Sequence, residues 1–251
     1  MASRIPGIEL IRLAKLPKAP ASASSRQECG ALDAPKGDDG KAVAALGWGV
    51  TAEATLGGYQ AVSFAGKFEA GTSGACDIDQ GNVALFESGR LVVLIYAARN
   101  AKTSIGRIVS TKDGLRILDG DLVPMPVGDI HLAGDRTIEV VPLPREEAVC
   151  DGRGVVPNLY GKPITEVRKE IMAKGWTPLR GPPPSEPDAV AKDLQRLGIV
   201  EAVDCAGTGF AFCSYYYRQN DMELSVTSFG DRKPTVSAYH VACERAGWHK
   251  D

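Results

Sequence analysis

The chain has no long apolar segment. Its longest apolar run, residues 91–98 (LVVLIYAA), is far shorter than the roughly 20 residues that a membrane helix needs, so we expect no transmembrane segment. Residues 1–28 carry positive charges and an Ala-Ser-Ala at 21–23, but no apolar stretch of about 7–15 residues like that of a secretory signal. If the protein is exported, its signal peptide is expected to lie outside this sequence.

The chain also lacks an excess of charge of one sign. Its net charge is −2, and its lysines and arginines are scattered without a basic run interleaved with aromatic residues. A nucleic-acid partner requires a basic surface that attracts phosphates, so no nucleic-acid partner is expected.

Motifs for metal and redox chemistry are missing. No CxxC pair occurs, and the chain has three histidines, His131, His240 and His249. Structural zinc sites use about four Cys or His ligands, usually in closely spaced pairs, and thioredoxin-type chemistry needs CxxC. Asp77 and Asp79 have the spacing of a calcium loop, but the third ligand and the distal glutamate of that motif are absent. We therefore expect no metal and no cofactor.

Familiar catalytic motifs are missing too. The chain contains no GxSxG, no HExxH and no GxxxxGK[ST] phosphate loop. His131, with Asp129 and Asp135 nearby, is the best candidate for a general base, and a carboxylate pair for glycoside cleavage has no fixed spacing in sequence. We expect a binding protein without catalysis, and a secreted hydrolase remains the alternative.

The chain does contain an even number of cysteines. Their spacing favours disulfides over free buried thiols, which remain the alternative, and disulfides favour a periplasmic or extracellular location. The preferred pairs are Cys29–Cys76, Cys205–Cys213 and Cys150–Cys243, although the last four cysteines allow about three pairings between which the sequence does not choose. The six residues are Cys29, Cys76, Cys150, Cys205, Cys213 and Cys243.

Composition divides the chain into three predicted parts. Residues 1–40 are rich in Pro, Ala, Ser and Gly and are expected to form a flexible leader. Residues 41–145 contain closely spaced apolar or alternating runs separated by turn residues, which predicts an all-β domain, a sandwich or a small barrel. Residues 146–251 are expected to form an α+β disulfide-bearing domain.

The predicted C-terminal domain has two helices on a three-stranded antiparallel sheet. Ile164, Val167 and Ile171 have helical spacing, and Gly175 stands where a helix C′ glycine belongs. A second helix is predicted over DAVAKDLQRLG (188–198), with Ser185 as its N-cap, an apolar stripe of Val190, Leu194 and Leu197, and Gly198 at its end. Strands are predicted at about 209–218, 222–228 and 235–243.

The strand near 209–218 suggests a binding surface. Alternation places Phe210, Phe212, Ser214 and Tyr216 on one face and Ala211, Cys213, Tyr215 and Tyr217 on the other. If the phenylalanines face the helices, Tyr215 and Tyr217 lie on the open face with Arg218 beside them, and tyrosine is enriched in interfaces. These three residues are the predicted partner contacts, and ordinary packing within the sheet is the alternative for the tyrosines.

Two family resemblances point to a cell envelope. Residues 155–179 resemble the opening of a PASTA domain, with Val156, Pro157, Gly161, Gly175 and Trp176 in matching places. That resemblance implies binding of muropeptides or β-lactams, but a second helix and cysteines follow where PASTA domains have strands. The order helix, helix, strands looks like the module of β-lactamase inhibitory proteins and small outer-membrane assembly lipoproteins, which implies an inhibitor of an extracellular enzyme.

The sequence thus predicts an exported bacterial cell-envelope binding protein. Its partner is expected to be a protein or peptidoglycan, and the sequence sets no oligomeric state.

Overall fold

The structure, a computed structural model, describes residues 1–29, 34–71, 75–134, 136–180, 189–203, 205–206, 209–231 and 233–244. The chain divides into two compact units, Met1–Leu143 (unit 1) and Pro144–Asp251 (unit 2). Among the described residues, no helix combines the length and the apolar character needed to cross a membrane.

Unit 1 is built mainly from short strands. In chain order these are β1 (Ala2–Ser3), β2 (Ile8–Ile11), β3 (Gly49–Leu56), β4 (Tyr59–Ala65), β5 (Lys67–Ala70), β6 (Cys76–Asp79), β7 (Asn82–Glu87), β8 (Arg90–Ala97), β9 (Arg107–Ser110), β10 (Leu115–Leu118), β11 (Pro126–Ala133) and β12 (Thr137–Val141). A 3₁₀ helix (Ala21–Glu28) and α1 (Asp38–Ala45) precede β3.

Two five-stranded sheets share the main core of unit 1. Their orders are β2-β8-β7-β4-β3 and β1-β12-β11-β10-β9, and β5 and β6 form a separate pair. Apolar side chains from both large sheets, such as Leu85, Val93, Ile117 and Ile130, form one buried cluster. The alternate residues of β8, including Leu94, belong to a second cluster on the other face of its sheet, so this strand is covered on both sides, as its unbroken apolar sequence predicts.

The N-terminal residues are part of the fold of unit 1. Strand β1 pairs in parallel with β12, and β2 pairs antiparallel with β8. The described part of residues 1–40 thus contains strands and helices where a flexible leader is expected, and the apolar Ile8 and Leu10 pack against the core of unit 1. The 3₁₀ helix is fixed by the Cys29–Cys76 bond, which joins it to β6.

The described part of unit 2 contains two α-helices and a five-stranded antiparallel sheet. Its strands are β13 (Glu146–Val149), β14 (Gly154–Pro157), β15 (Thr177–Pro178), β16 (Ala202–Val203), β17 (Cys213–Gln219), β18 (Met222–Phe229) and β19 (Thr235–Ala242), and its helices are α2 (Ile164–Ala173) and α3 (Ala189–Arg196). The sheet order is β15-β17-β18-β19 with β16 also paired to β17, while β13 and β14 form a separate hairpin.

The predicted fold class is wrong. Strands make up 45% of the structure and helices 16%, and the described strands form five sheets rather than an all-β domain followed by two helices on a three-stranded sheet. Helix α1 spans the end of the expected leader and the start of the segment expected to be purely β, and β15 and β16 enlarge the C-terminal sheet. The signal for α1 is weak because only Gly40 and Val43 of its eight residues are buried.

The helix predictions for unit 2 differ in accuracy. Helix α2 buries Ile164, Val167 and Ile171, and Gly175 follows it with φ +88°, as expected. Helix α3 buries Leu194, but Leu197 lies beyond its last residue and is 77% exposed, so the predicted stripe is one position too long. The proposed N-cap Ser185 lies outside the described residues.

Candidate functional site

Strand β17 is oriented opposite to the prediction. Tyr215 and Tyr217 are completely buried, whereas Phe212 is 37% exposed and Tyr216 is half-buried. Cys213 shares the inner face with the two tyrosines, in one core cluster with residues of α2. The alternation of the sequence correctly separates the residues of β17 into two faces. Both faces carry aromatic side chains, so composition does not identify which face is buried. A buried side chain has no surface to offer a partner, so Tyr215 and Tyr217 are not candidate contacts.

The buried tyrosines have polar partners inside unit 2. The Tyr217 hydroxyl donates to Glu201 Oε1 over 2.9 Å, and Arg168 Nε donates to the same oxygen over 2.7 Å. The Tyr215 hydroxyl and Ser228 Oγ are hydrogen-bonded at 3.1 Å. Burial, followed by the negative charge of Glu201 and its hydrogen bond, raises the pKa of Tyr217. This network is structural, because its members hold α2 and the sheet together.

The third predicted contact, Arg218, is engaged within the sheet. Its Nη2 atom donates to Glu223 Oε1 over 3.0 Å, and the Glu223 side chain is completely buried. A buried carboxylate requires such a partner, because its desolvation is otherwise uncompensated. Arg218 therefore has a role in the stability of unit 2.

The six cysteines form three disulfides with the preferred pairings. The bonds are Cys29–Cys76, Cys150–Cys243 and Cys205–Cys213. Cys150–Cys243 joins the start of unit 2 to the end of its last strand. Arg153 reinforces this junction, since its Nη2 donates to the carbonyl of Cys243 over 2.8 Å. Three disulfides are typical of proteins that fold in an oxidising compartment.

His131, the candidate general base, is not paired with Asp129. That carboxylate is buried and accepts two hydrogen bonds from Arg116, from Nε at 2.8 Å and from Nη2 at 2.9 Å. His131 Nδ1 lies 3.0 Å from the backbone carbonyl of Asp113, while Asp135 lies outside the described residues. His240 is exposed on β19, and His249 lies outside the described part of the chain.

A cleft of about 560 Å³ lies in unit 1. Three segments surround it: the β6–β7 turn with Asp79 and Gln80, residues 97–105 after β8, and the loop after β10. Trp48 and Tyr96 supply aromatic rings to its lining. The Trp48 indole donates to the carbonyl of Pro17 over 2.9 Å, which fixes its position.

Two glycines allow the segments around the cleft to approach closely. A Cβ atom at Gly81 would lie 1.6 Å from the carbonyl oxygen of Ile105, and one at Gly120 would lie 1.7 Å from that of Ile78. Any other residue at these positions would push the segments apart. The cleft therefore depends on backbone contacts that only glycine permits.

The cleft contains charged groups of both signs. Arg99 and Lys102 come from the segment after β8, and Asp79, Asp119 and Asp121 come from the two facing turns. Asp119 Oδ1 accepts the backbone N–H groups of Met125 at 2.9 Å and Asp121 at 3.3 Å, so it also shapes its own loop. Burial raises the pKa of Asp119, and the charge of Asp121 raises it further.

The carboxylates near the cleft do not form a metal centre. Within the described part of the chain, no group of three or more His, Cys, Asp or Glu side chains is arranged to hold a metal ion. Asp77 and Asp79 lie on β6 rather than in a calcium loop. Burial, followed by the charge of Asp121, raises the pKa of Asp77.

The sequence gives little signal for this cleft. Its charged residues come from turns separated by about twenty to forty positions, and no motif links them. In the sequence, Gly81 and Gly120 resemble ordinary turn residues. Only the folded structure shows that each of them allows two backbone segments to approach closely.

No family model, curated protein or solved structure matches the chain. The likeness of residues 155–179 to PASTA domains thus remains a resemblance and assigns no ligand. Function must be inferred from the residues of the cleft.

Proposed function

We propose that this protein works outside the cytoplasm of a bacterium as a cell-envelope binding protein and that its unit 1 cleft receives a polar component of the cell wall. The three disulfides support the compartment, because the cytosol keeps thiols reduced. The cleft supports the binding role and is the observation on which the proposal depends.

The size and lining of the cleft suit a small polar ligand. Its volume of about 560 Å³ lies within the range of roughly 300–1,000 Å³ that is usual for ligand sites. Trp48 and Tyr96 offer aromatic rings that can pack against sugar or peptide groups. Polar side chains of Gln80, Asn82 and Ser104 lie in the same lining and can donate or accept hydrogen bonds.

Binding is favoured over catalysis by what the side chains do. Among the residues that the structure describes, the cleft lining contains no histidine, cysteine or glutamate. Its most buried carboxylate, Asp119, is held by two backbone N–H groups of its own loop. A general base must be able to exchange its proton with a substrate, and a carboxylate fixed in a turn is poorly placed to do so.

A retention assay on purified, insoluble peptidoglycan tests the proposal. The oxidised wild-type protein should be retained, and Arg99→Ala should weaken retention by about tenfold, the loss of one charged contact. Arg90→Ala is the matched control: Arg90 is exposed and begins β8, whereas Arg99 follows the other end of the strand, more than about 20 Å away.

Two results would contradict this function. If the wild type is not retained, the ligand class is wrong, and if both arginine variants bind like the wild type, Arg99 does not contact the ligand and the cleft loses its support as the site. Soluble fragments released during the assay would instead favour the hydrolase alternative. Thiol labelling of the unreduced protein separately checks the three disulfides on which the inferred compartment depends, since no cysteine should react.

A further inference from the structure

Among the described residues, the positively charged side chains in the cleft take no part in the internal bonding of unit 1. Among the described residues, neither Arg99 nor Lys102 forms a hydrogen bond or an ion pair, although both line the cleft with Asp79 and Asp121. Several other arginines of the described structure are paired with carboxylates, as Arg116 is with Asp129. The cleft thus combines cations and carboxylates that stay apart.

The two kinds of charge come from different segments of unit 1. Arg99 and Lys102 belong to the connection between β8 and β9, while Asp119 and Asp121 follow β10. A ligand that spans this cleft meets donors with positive charge from one segment and acceptors with negative charge from the other. Charge complementarity of this kind selects ligands by their own charge pattern.

Among the described residues, no cation is paired with the carboxylate side of the cleft either. The pKa of Asp119 is raised by burial and then by the charge of Asp121, and a backbone N–H bond from Met125 only partly offsets this. An ammonium group placed beside these carboxylates would remove the unfavourable interaction. On the other segment, a carboxylate would pair with the guanidinium of Arg99, which can bind it through two parallel hydrogen bonds.

We propose that the cleft recognises a zwitterion, with the ligand's ammonium group beside Asp79 and Asp121 and its carboxylate beside Arg99 and Lys102. Peptide stems of the cell wall have this chemistry, and so do free peptides. This proposal rests on the proposed function for the cleft but goes further, because a cell-wall ligand could also bind through its neutral sugars alone.

Calorimetric titration with a set of defined ligands tests the charge pattern. The probes are a disaccharide-tetrapeptide muropeptide, the same compound with its amino groups acetylated, the same compound with its carboxylates amidated, the free tetrapeptide, and a neutral oligomer of N-acetylglucosamine. The unmodified muropeptide should bind, and either modification should weaken binding by about tenfold or more. Comparable affinity for the free tetrapeptide would identify the peptide as the recognised part.

Protein variants link each ligand charge to its partner. Arg99→Ala should weaken binding of the unmodified muropeptide by about tenfold yet leave the affinity of the amidated form unchanged, because the contact is already lost. Asp121→Asn should likewise weaken binding of the unmodified muropeptide by about tenfold and leave the affinity of the acetylated form unchanged. Arg90→Ala and Asp113→Asn are the matched controls; Asp113 is exposed and lies at the other end of β10 from Asp121.

The outcomes separate this proposal from the function on which it rests. Equal affinity for the neutral oligomer and for all forms of the muropeptide would overturn the zwitterion while keeping a cell-wall ligand in the cleft. Failure of every probe to bind would overturn both. Binding that both matched controls weaken as strongly as the cleft variants would place the site elsewhere.

Discussion

Replacing Tyr217 with phenylalanine tests the buried network of unit 2. The substitution keeps the ring and its packing and removes only the hydroxyl, which donates to Glu201 Oε1 over 2.9 Å. A hydrogen bond to a charged group contributes about 1.5–3 kcal/mol to stability, compared with about 0.5–1.5 kcal/mol for a bond between neutral groups. We therefore expect Tyr217→Phe to lower the free energy of unfolding by about 2 kcal/mol.

Tyr215→Phe is the matched control on the same face of the same strand. Tyr215 is also completely buried, but its hydroxyl bonds to the neutral Ser228 Oγ. The free energy of unfolding of Tyr215→Phe should be lower than that of the wild type by about 1 kcal/mol. Urea unfolding at neutral pH measures both values, with unchanged m-values showing that the unfolding transition itself is unaltered.

A substitution of Glu201 tests whether the charge of this acceptor strengthens its hydrogen bond with Tyr217. Its Oε1 also accepts from Arg168, whereas no described residue donates to its buried Oε2. In a Glu201→Gln background, the loss caused by Tyr217→Phe should fall towards the neutral value of about 1 kcal/mol. An unchanged loss would mean that the charge of Glu201 does not strengthen this bond.

Alkaline pH provides an independent check on Tyr217. Burial raises its pKa in the folded protein above the ordinary 10.0, so the neutral form is favoured in the fold. The stability that this contributes is fully present below pH 10 and is lost as the pH rises further, by about 1.4 kcal/mol per pH unit. The difference between the wild type and Tyr217→Phe should therefore narrow above pH 10.

One result would contradict the burial of both tyrosines. If Tyr217→Phe and Tyr215→Phe each cost less than about 0.5 kcal/mol, both side chains are on the surface, as the sequence pattern had suggested. In that case partner contacts by these tyrosines would have to be considered again.

The disulfides and the carboxylates lead to two other predictions. Replacing Cys150 and Cys243 with serine should cost roughly 4–5 kcal/mol, because this bond spans 93 residues, whereas the same change at Cys205 and Cys213, which span 8, should cost about 2.5 kcal/mol. Denaturant unfolding ranks the two, and the reverse order would contradict the loop-entropy reasoning. Asp77→Asn should raise the Tm at pH 7, since burial and neighbouring carboxylates raise the pKa of Asp77 and so make its charged form unfavourable in the fold. The gain in Tm should vanish near pH 3, where the carboxyl is protonated in both the folded and the unfolded state. A gain that persists at pH 3 would show that the charge of Asp77 is not its cause.

Local patterns predicted individual elements better than their assembly. The spacing of Ile164, Val167 and Ile171 identifies α2, and the apolar sequence of β8 predicts a strand covered on both faces. Both signals are strong because the periodicity of each element is expressed in the large apolar side chains themselves. The prediction of the fold class was wrong because it depends on elements whose sequence signal is weak. Helix α1 has few apolar residues, and β15 and β16 have two residues each.

The orientation of β17 shows why a correct pattern can still mislead. Phenylalanine was expected inside and tyrosine outside, following their hydrophobicity. Tyrosine can be buried when its hydroxyl finds a partner, and Glu201 and Ser228 provide those partners from distant positions in the sequence. The partners are invisible until the chain is folded, so the inner face could not be chosen from the strand alone.

The same criterion separates the polar groups that stabilise unit 2 from those of the proposed site in unit 1. In unit 2, Glu201 is paired with Arg168, and Glu223 with Arg218, so these charges stabilise the fold. In the unit 1 cleft, Arg99 and Lys102 line the same space as Asp121 without pairing in the described structure. Charges that folding leaves without partners are the ones a ligand can use, because binding need not break any internal bond. The cleft, and not the tyrosine strand, is therefore the part of this protein where recognition should be sought.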